Sequence, residues 1–201
     1  MHNLNKDGVG KTFVFLVRHG DFDLPKMPGT HVFNHRHYPL NKTGRKQAKE
    51  VAKKFAKIKE HIDVFYASSM RRAEETAREI ERKIGKKLQL SNNLWEFNKI
   101  RWTRKYYHYK FWKHWLAHRR RMKEFDRILL ENPGKVILIV GHGNVIKGIL
   151  AKKLGWSGKH VESIDYRNCH ISLLQFNKTK LEKVCCFNQK ELPKFKPKSS
   201  H

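Results

Sequence analysis

Thr12 to Val17 (TFVFLV) is an almost unbroken apolar and β-branched run that stops at Arg18, His19 and Gly20. A run with no polar face cannot lie with one side in water; it reads as a strand buried on both faces, as strands are in a parallel sheet covered by helices. Such a strand, ending in a cation, an imidazole and a glycine, carries chemistry to the carboxyl edge of its sheet, where open α/β sheets collect their ligands. Val136 to Val140 (VILIV) repeats the pattern and stops at Gly141-His142-Gly143-Asn144. Two buried strands are thus each expected to deliver a histidine beside a glycine.

The intervening segments alternate between helical and strand periodicity. Asn41 is the expected N-cap of a helix whose apolar stripe is Ala48, Val51, Ala52, Phe55 and Ile58, with lysines on the opposite face. Asp63 to Ser68 reads as a short strand. A second amphipathic helix follows, with Ala73, Thr76, Ala77, Ile80 and Ile84 inward and Gly85 as its stop. Arg71 and Arg72 fall in its first turn, where the helix dipole disfavours cations unless an anion sits nearby. Leu88-Gln89-Leu90 is a brief strand leading to Leu94-Trp95-Glu96. Phe111, Trp115, His118, Met122, Phe125 and Leu129 then recur at helical spacing, and after the second histidine Val145, Ile146, Ile149, Leu150 and Leu154 continue as a helix. Asn168 to Phe176 and Leu181 to Phe187 read as a closing strand pair around a turn at 177–180. Strands alternating with helices predict an α/β domain over residues 12–190, with a polar extension at 1–11, a basic aromatic helical insert at about 99–131 and a basic tail at 191–201 expected to be disordered.

Charge narrows the partner. Lys plus Arg number 44 against 18 Asp plus Glu, a net +26, so an anion is the expected partner: a phosphorylated metabolite, a phosphoprotein, nucleic acid or an anionic surface. From Lys99 to Lys123 there is no acid, and aromatics are interleaved with bases, a pattern that also suits nonspecific binding of a nucleic-acid strand. The helical stripe accounts for those aromatics more simply, as a buried face with its bases in water. Gly8-Val9-Gly10-Lys11-Thr12 ends like a phosphate-binding P-loop, but Asn5 stands where the first glycine belongs and the segment precedes its strand. The loop Asp21 to Leu40 carries His31, His35 and His37 without a cysteine or closely spaced carboxylate, so no metal is expected there, nor at His114 and His118. Three cysteines, two of them adjacent, favour a reducing compartment, and no apolar run approaches membrane-spanning length. A cytoplasmic protein without a membrane span is the expectation.

The strand-end groups are Arg18, His19, Arg72, Glu96 and His142. A neutral imidazole can attack phosphorus, guanidinium forks can neutralise the equatorial oxygens, and a protonated carboxyl can hand its proton to the leaving oxygen. Leu16-Val17-Arg18-His19-Gly20, Pro39-Leu40-Asn41-Lys42-Thr43-Gly44 with Gln47-Ala48, Ser68 with Arg72-Ala73 and Thr76-Ala77, Leu94-Trp95-Glu96 and Gly141-His142-Gly143-Asn144 occur in an order that resembles the histidine phosphatase superfamily, in its phosphoglycerate mutase-like branch. The resemblance implies a three-layer α/β/α sandwich with a mostly parallel central sheet. It further implies that His19 is the phosphorylated nucleophile, that Arg18, Arg72 and His142 form the phosphate pocket with Asn144 beside it, and that Glu96 is the general acid/base, with Asp21 in reserve. Neither metal nor organic cofactor is then required. Asp21-Phe22-Asp23 after Gly20, and Phe97-Asn98-Lys99 after Glu96, depart from the residues that phosphoglycerate mutases carry there. The expectation is therefore a phosphoric monoester hydrolase acting on a small, multiply phosphorylated metabolite or a phosphoprotein. The alternatives are a mutase-type phosphotransferase, or a phosphatase fold that binds nucleic acid or phosphoprotein.

Overall fold

A computed structural model of the chain describes residues 10–23, 35–96, 109–156 and 163–194, with side chains in the helix at 109–131 described from 118 onward. Six strands, β1 (Thr12–Arg18), β2 (Val64–Ser68), β3 (Leu88–Ser91), β4 (Val136–Gly141), β5 (Ile171–Asn177) and β6 (Lys180–Gln189), make one sheet in the order β3-β2-β4-β1-β5-β6. The first four in that order run parallel; β5 is antiparallel to β1 and β6 to β5. The helices are α1 (Lys42–Ala56), α2 (Arg71–Ile84), α3 (Tyr109–Glu131) and α4 (Gly143–Leu154).

Side-chain alternation along β1 divides the molecule into layers. Phe15 and Val17 face a core completed by Val51 and Phe55 of α1 and by Ala73, Ala77 and Ile80 of α2. Val14 and Leu16 face the opposite core, which contains Met122, Phe125, Ile128 and Leu129 of α3 and Val145, Ile146 and Ile149 of α4. The sheet is therefore apolar on both faces, which is why β1 and β4 read as continuous hydrophobic runs. The three-layer sandwich expected from the sequence is the observed fold. Within α3 the stripe at Met122, Phe125 and Leu129 is buried, as the spacing predicts. No helix among the described residues is long and apolar enough to cross a membrane.

Local chemistry sets the ends of these helices. Asn41 caps α1 by accepting from the Gly44 N–H at 2.8 Å, and Gly85, at φ 69°, closes α2 in the left-handed conformation. The connection leaving β1 runs through α1 on one face, whereas the connection leaving β4 runs through α4 on the other. Adjacent parallel strands whose connections part to opposite faces leave a crevice at their carboxyl ends, and that crevice is where a site is expected. His31, the start of the basic aromatic insert up to residue 108, the start of the glycine-rich segment at 8–12 and residues 195–201 of the tail lie outside the described residues.

Candidate active site

Register brings the two histidines together. Arg18 of β1 pairs with Gly141 of β4, so the next residues, His19 and His142, leave the sheet side by side, with ring centroids 5.0 Å apart. Both are buried, His19 at 1% and His142 at 0% exposure. The backbone of His19 is held on both sides: its N–H donates to Gly141 O at 3.0 Å and its carbonyl accepts from Asn168 Nδ2 at 3.0 Å. The ring is held as well. Nδ1 lies 2.7 Å from Gly20 O, and because a carbonyl can only accept, Nδ1 carries the proton. Nε2 is left with its lone pair, and accepts from Arg72 Nε at 3.1 Å. This is a neutral imidazole with a defined nucleophilic nitrogen. Burial, followed by the Arg72 and Arg18 charges, holds His19 well below its ordinary value of 6.5 and keeps it neutral.

His142 is set by the strand on the other side of β4. Its Nε2 sits 2.8 Å from the Oγ of Ser68, the last residue of β2. Burial and then its cationic surroundings also depress His142 well below 6.5. Its Nδ1 is buried without a hydrogen-bond partner among the described residues, and so is Arg18 Nε. Arg18 donates through Nη1 to Tyr166 O and lies against Gly143, where a Cβ would stand 3.4 Å from Arg18 Nε. Buried polar atoms left open beside a cluster of charge mark a place where a ligand supplies the missing bonds.

The cations in the first turn of α2 divide in function. Arg71 is exposed and pairs with Glu75 at 3.0 Å, one helical turn on, so it needs no anion beyond its own helix. Arg72 is buried at 2% exposure and turned to His19, with its ring neighbour Phe22 4.4 Å from its Cζ. Burial lowers Arg72 to about 10, against the opposing pull of the Glu96 carboxylate, and it remains cationic at neutral pH. Thr76 locks α2 to the loop that follows His19: its Oγ1 accepts from Gly20 N at 3.0 Å and donates to Arg72 O at 2.8 Å. Neither α2 nor α4 carries a side-chain N-cap, in contrast to α1, so at this end of the sheet two helix N-termini keep first-turn N–H groups that Asn41 covers elsewhere.

Glu96 joins the pair of histidines. A carboxylate oxygen of Glu96 and a ring nitrogen of each of His19 and His142 all lie within 4.8 Å of one another. Asp21 is directed elsewhere: its carboxylate accepts from Asn41 Nδ2 at 3.0 Å, at the head of α1. Asn144 is the second residue of α4, next to the site's edge. Among the described residues His19, Glu96 and His142 are a group that could hold a metal ion, but the charges of Arg18, Arg72 and Arg121 act on His142, and those of Arg18 and Arg72 on His19. That field favours an anion over a cation.

Sequence reasoning missed Arg121, which reaches the site from α3. On the sequence alone it falls among the bases expected on the wet face of that helix. Its position directly before the buried Met122 was the available signal that it lies at the edge of the apolar stripe. Phe22, whose ring centroid lies 5.4 Å from that of His19, was also passed over as an ordinary loop residue.

The model of the histidine phosphatase superfamily, branch 1, matches residues 14–189. No curated protein sequence matches the chain. Among solved structures, alpha-ribazole phosphatase from Shigella flexneri superposes with a TM-score of 0.69 at 18% identity, covering 92% of this chain and 100% of that one. Phosphoserine phosphatase from Entamoeba histolytica, in complex with 3-phosphoglyceric acid, gives 0.63 at 22% identity over 89% and 97%. A mycobacterial glucosyl-3-phosphoglycerate phosphatase gives 0.68 at 16% identity over 89% and 99%.

Proposed function

Because the chain belongs to the histidine phosphatase superfamily, branch 1, and is an enzyme of the phosphatase type, we propose that it hydrolyses phosphoric monoesters through a phosphohistidine on His19. One observation carries this reading: a neutral His19 with its lone pair on Nε2, buried against Arg72, His142 and Glu96. In the first step Nε2 attacks phosphorus, the P–N bond forms, the ester P–O bond breaks, and Glu96 gives its proton to the departing oxygen. Arg72 Nε leaves the lone pair for a phosphoryl oxygen, so one small movement both frees the nucleophile and neutralises the group it attacks. Arg18, with His142 Nδ1, supplies further donors to the equatorial oxygens, where preorganised charge lowers the barrier most. In the second step Glu96, now a carboxylate, takes a proton from water. The water oxygen bonds to phosphorus, the P–N pair returns to Nε2, and phosphate leaves.

The substrate class we propose is a phosphoric monoester carrying further negative charge, either a small multiply phosphorylated metabolite or a phosphoprotein. The exposed Arg36 lies over the Trp95 ring, 3.7 Å from its centroid, one residue from Glu96, and so places a cation beside the acid. The solved neighbours include phosphatases named for alpha-ribazole, phosphoserine and glucosyl-3-phosphoglycerate. Rapid quench with a labelled monoester tests the mechanism: label should appear in the protein as an acid-labile, alkali-stable adduct, in EDTA as without it, and His19→Ala should form none. Turnover by His19→Ala at the wild-type rate sinks the proposal.

A further inference from the structure

Among the described residues the charges of Arg18, Arg72 and Arg121 act on His142, and of these Arg18 and Arg72 belong to the strand-end motifs. The third, Arg121, comes from α3, whose next residue Met122 is buried at 2% exposure in the core shared with α4. Its fork grips two consecutive carbonyls. Nε donates to Trp95 O, and Nη2 donates to Glu96 O at 3.1 Å. The same short segment is tied from its other side by Glu96 N to Met70 Sδ at 3.1 Å and by Trp95 Nε1 to Ser69 Oγ at 2.5 Å. Glu96 follows a single 3-10 turn, Asn92–Leu94, and is not carried by a helix or strand of its own. The backbone that carries its carboxylate is therefore held by these bonds, and those of Arg121 are the ones that come from α3.

We propose that Arg121 is a positioning residue for the proton donor: by holding the carbonyls of Trp95 and Glu96 it keeps the Glu96 carboxyl against His19 and His142. This rests on the reading above, in which Glu96 protonates the leaving oxygen. A planar guanidinium suits the task because it serves two acceptors in a fixed geometry, whereas an ammonium is a single point charge on a flexible stem. Arg121 commits two of its donors to this backbone. Its effect is therefore expected where proton donation matters: when the ester P–O bond breaks toward a strongly basic alkoxide, the Glu96 proton must move to that oxygen, and when it breaks toward a weakly basic phenolate it need not.

The test compares kcat/KM for glycerol phosphate and for p-nitrophenyl phosphate, because this ratio ends with departure of the alcohol and excludes hydrolysis of the phosphohistidine. Arg121→Met should lose about 10- to 100-fold on glycerol phosphate, a fraction of what general acid catalysis supplies, and less than about threefold on p-nitrophenyl phosphate. Arg121→Lys, which keeps the charge, should fall between wild type and Arg121→Met and should fold even if the methionine variant does not. Glu96→Gln should show the same selectivity in stronger form. Equal losses on both substrates, or no loss on either, overturn the inference for Arg121 while leaving the phosphohistidine in place. Absence of a phosphoenzyme in wild-type protein would instead remove the reading on which it rests.

Discussion

Gly44→Ala tests how the nucleophile loop is held. Gly44 is the third residue of α1, and the chain at Gly20 and Asp21 passes directly over it. A Cβ on Gly44 would stand 2.7 Å from Asp21 N and 2.9 Å from Asp21 C, and nearer still to the carbonyl oxygen. A Cβ on Gly20 would meet Gly44 O at 2.5 Å in return. The atoms in the way are backbone, which cannot rotate aside as a side chain can. Restoring an ordinary separation of about 3.5–4.0 Å from all three atoms, the carbonyl oxygen above all, requires the loop or the helix to retreat by more than about 1 Å. The loop begins at His19, whose Nδ1 is oriented by Gly20 O. A misplacement near 1 Å costs about 100-fold in rate, and overpacking costs about 1–3 kcal/mol in stability, or roughly 2–4 °C in Tm for each of those in a chain of this size. The sign is the informative part, because glycine to alanine inside a helix otherwise stabilises by about 1 kcal/mol. Gly141→Ala provides the control: nothing lies within 4 Å of its Cβ, although it adjoins His142, and its stability should stay within about 0.5 kcal/mol of wild type. Thermal melts and kcat/KM on p-nitrophenyl phosphate read both variants. Gly44→Ala with wild-type Tm and activity would refute the reasoning, and so would equal damage from Gly141→Ala.

Two further outcomes follow from the same geometry. Burial and the neighbouring arginines lower the folded values of His19 and His142 well below 6.5, so below that pH the unfolded chain binds more protons than the folded one. Their contribution to stability is complete above about 6.5 and is lost as pH falls from there through the folded values. Denaturant titrations between pH 7.5 and 5 should show a steeper decline for wild type than for His19→Asn, and parallel curves would contradict it. Ser68→Ala removes the partner of His142 Nε2 and an acceptor for Met70 N at 3.3 Å. A buried polar group left open costs about 1–3 kcal/mol, so kcat/KM should fall about 5-fold or more without loss of the fold, and an unchanged value would show that Ser68 does not set the ring.

The sheet was legible because burial on both faces leaves an unambiguous record: TFVFLV and VILIV admit no solvent face, and their ends announce where the site must lie. Arg72 was legible for a related reason, as a cation misplaced against a helix dipole, but the same argument wrongly included Arg71. At that position the dipole is offset by Glu75 at i+4, a pairing that the spacing already contained. What could not be read is what depends on juxtaposition across the sheet. Which of Glu96 and Asp21 lies near the histidines depends on how the chain places each carboxylate: an oxygen of Glu96 comes within 4.8 Å of both rings, while Asp21 accepts from Asn41. Arg121 lies 25 residues from the Glu96 carbonyl it grips, so no periodicity could assign it. The strand-end motifs thus mark where the two histidines meet, whereas the segment that carries Glu96 is bonded from α3. It follows that substitutions at Arg121 should disturb proton donation before they disturb His19, because His19 is held through Gly141, Asn168 and Gly20, whereas Arg121 bonds the carbonyls of Trp95 and Glu96.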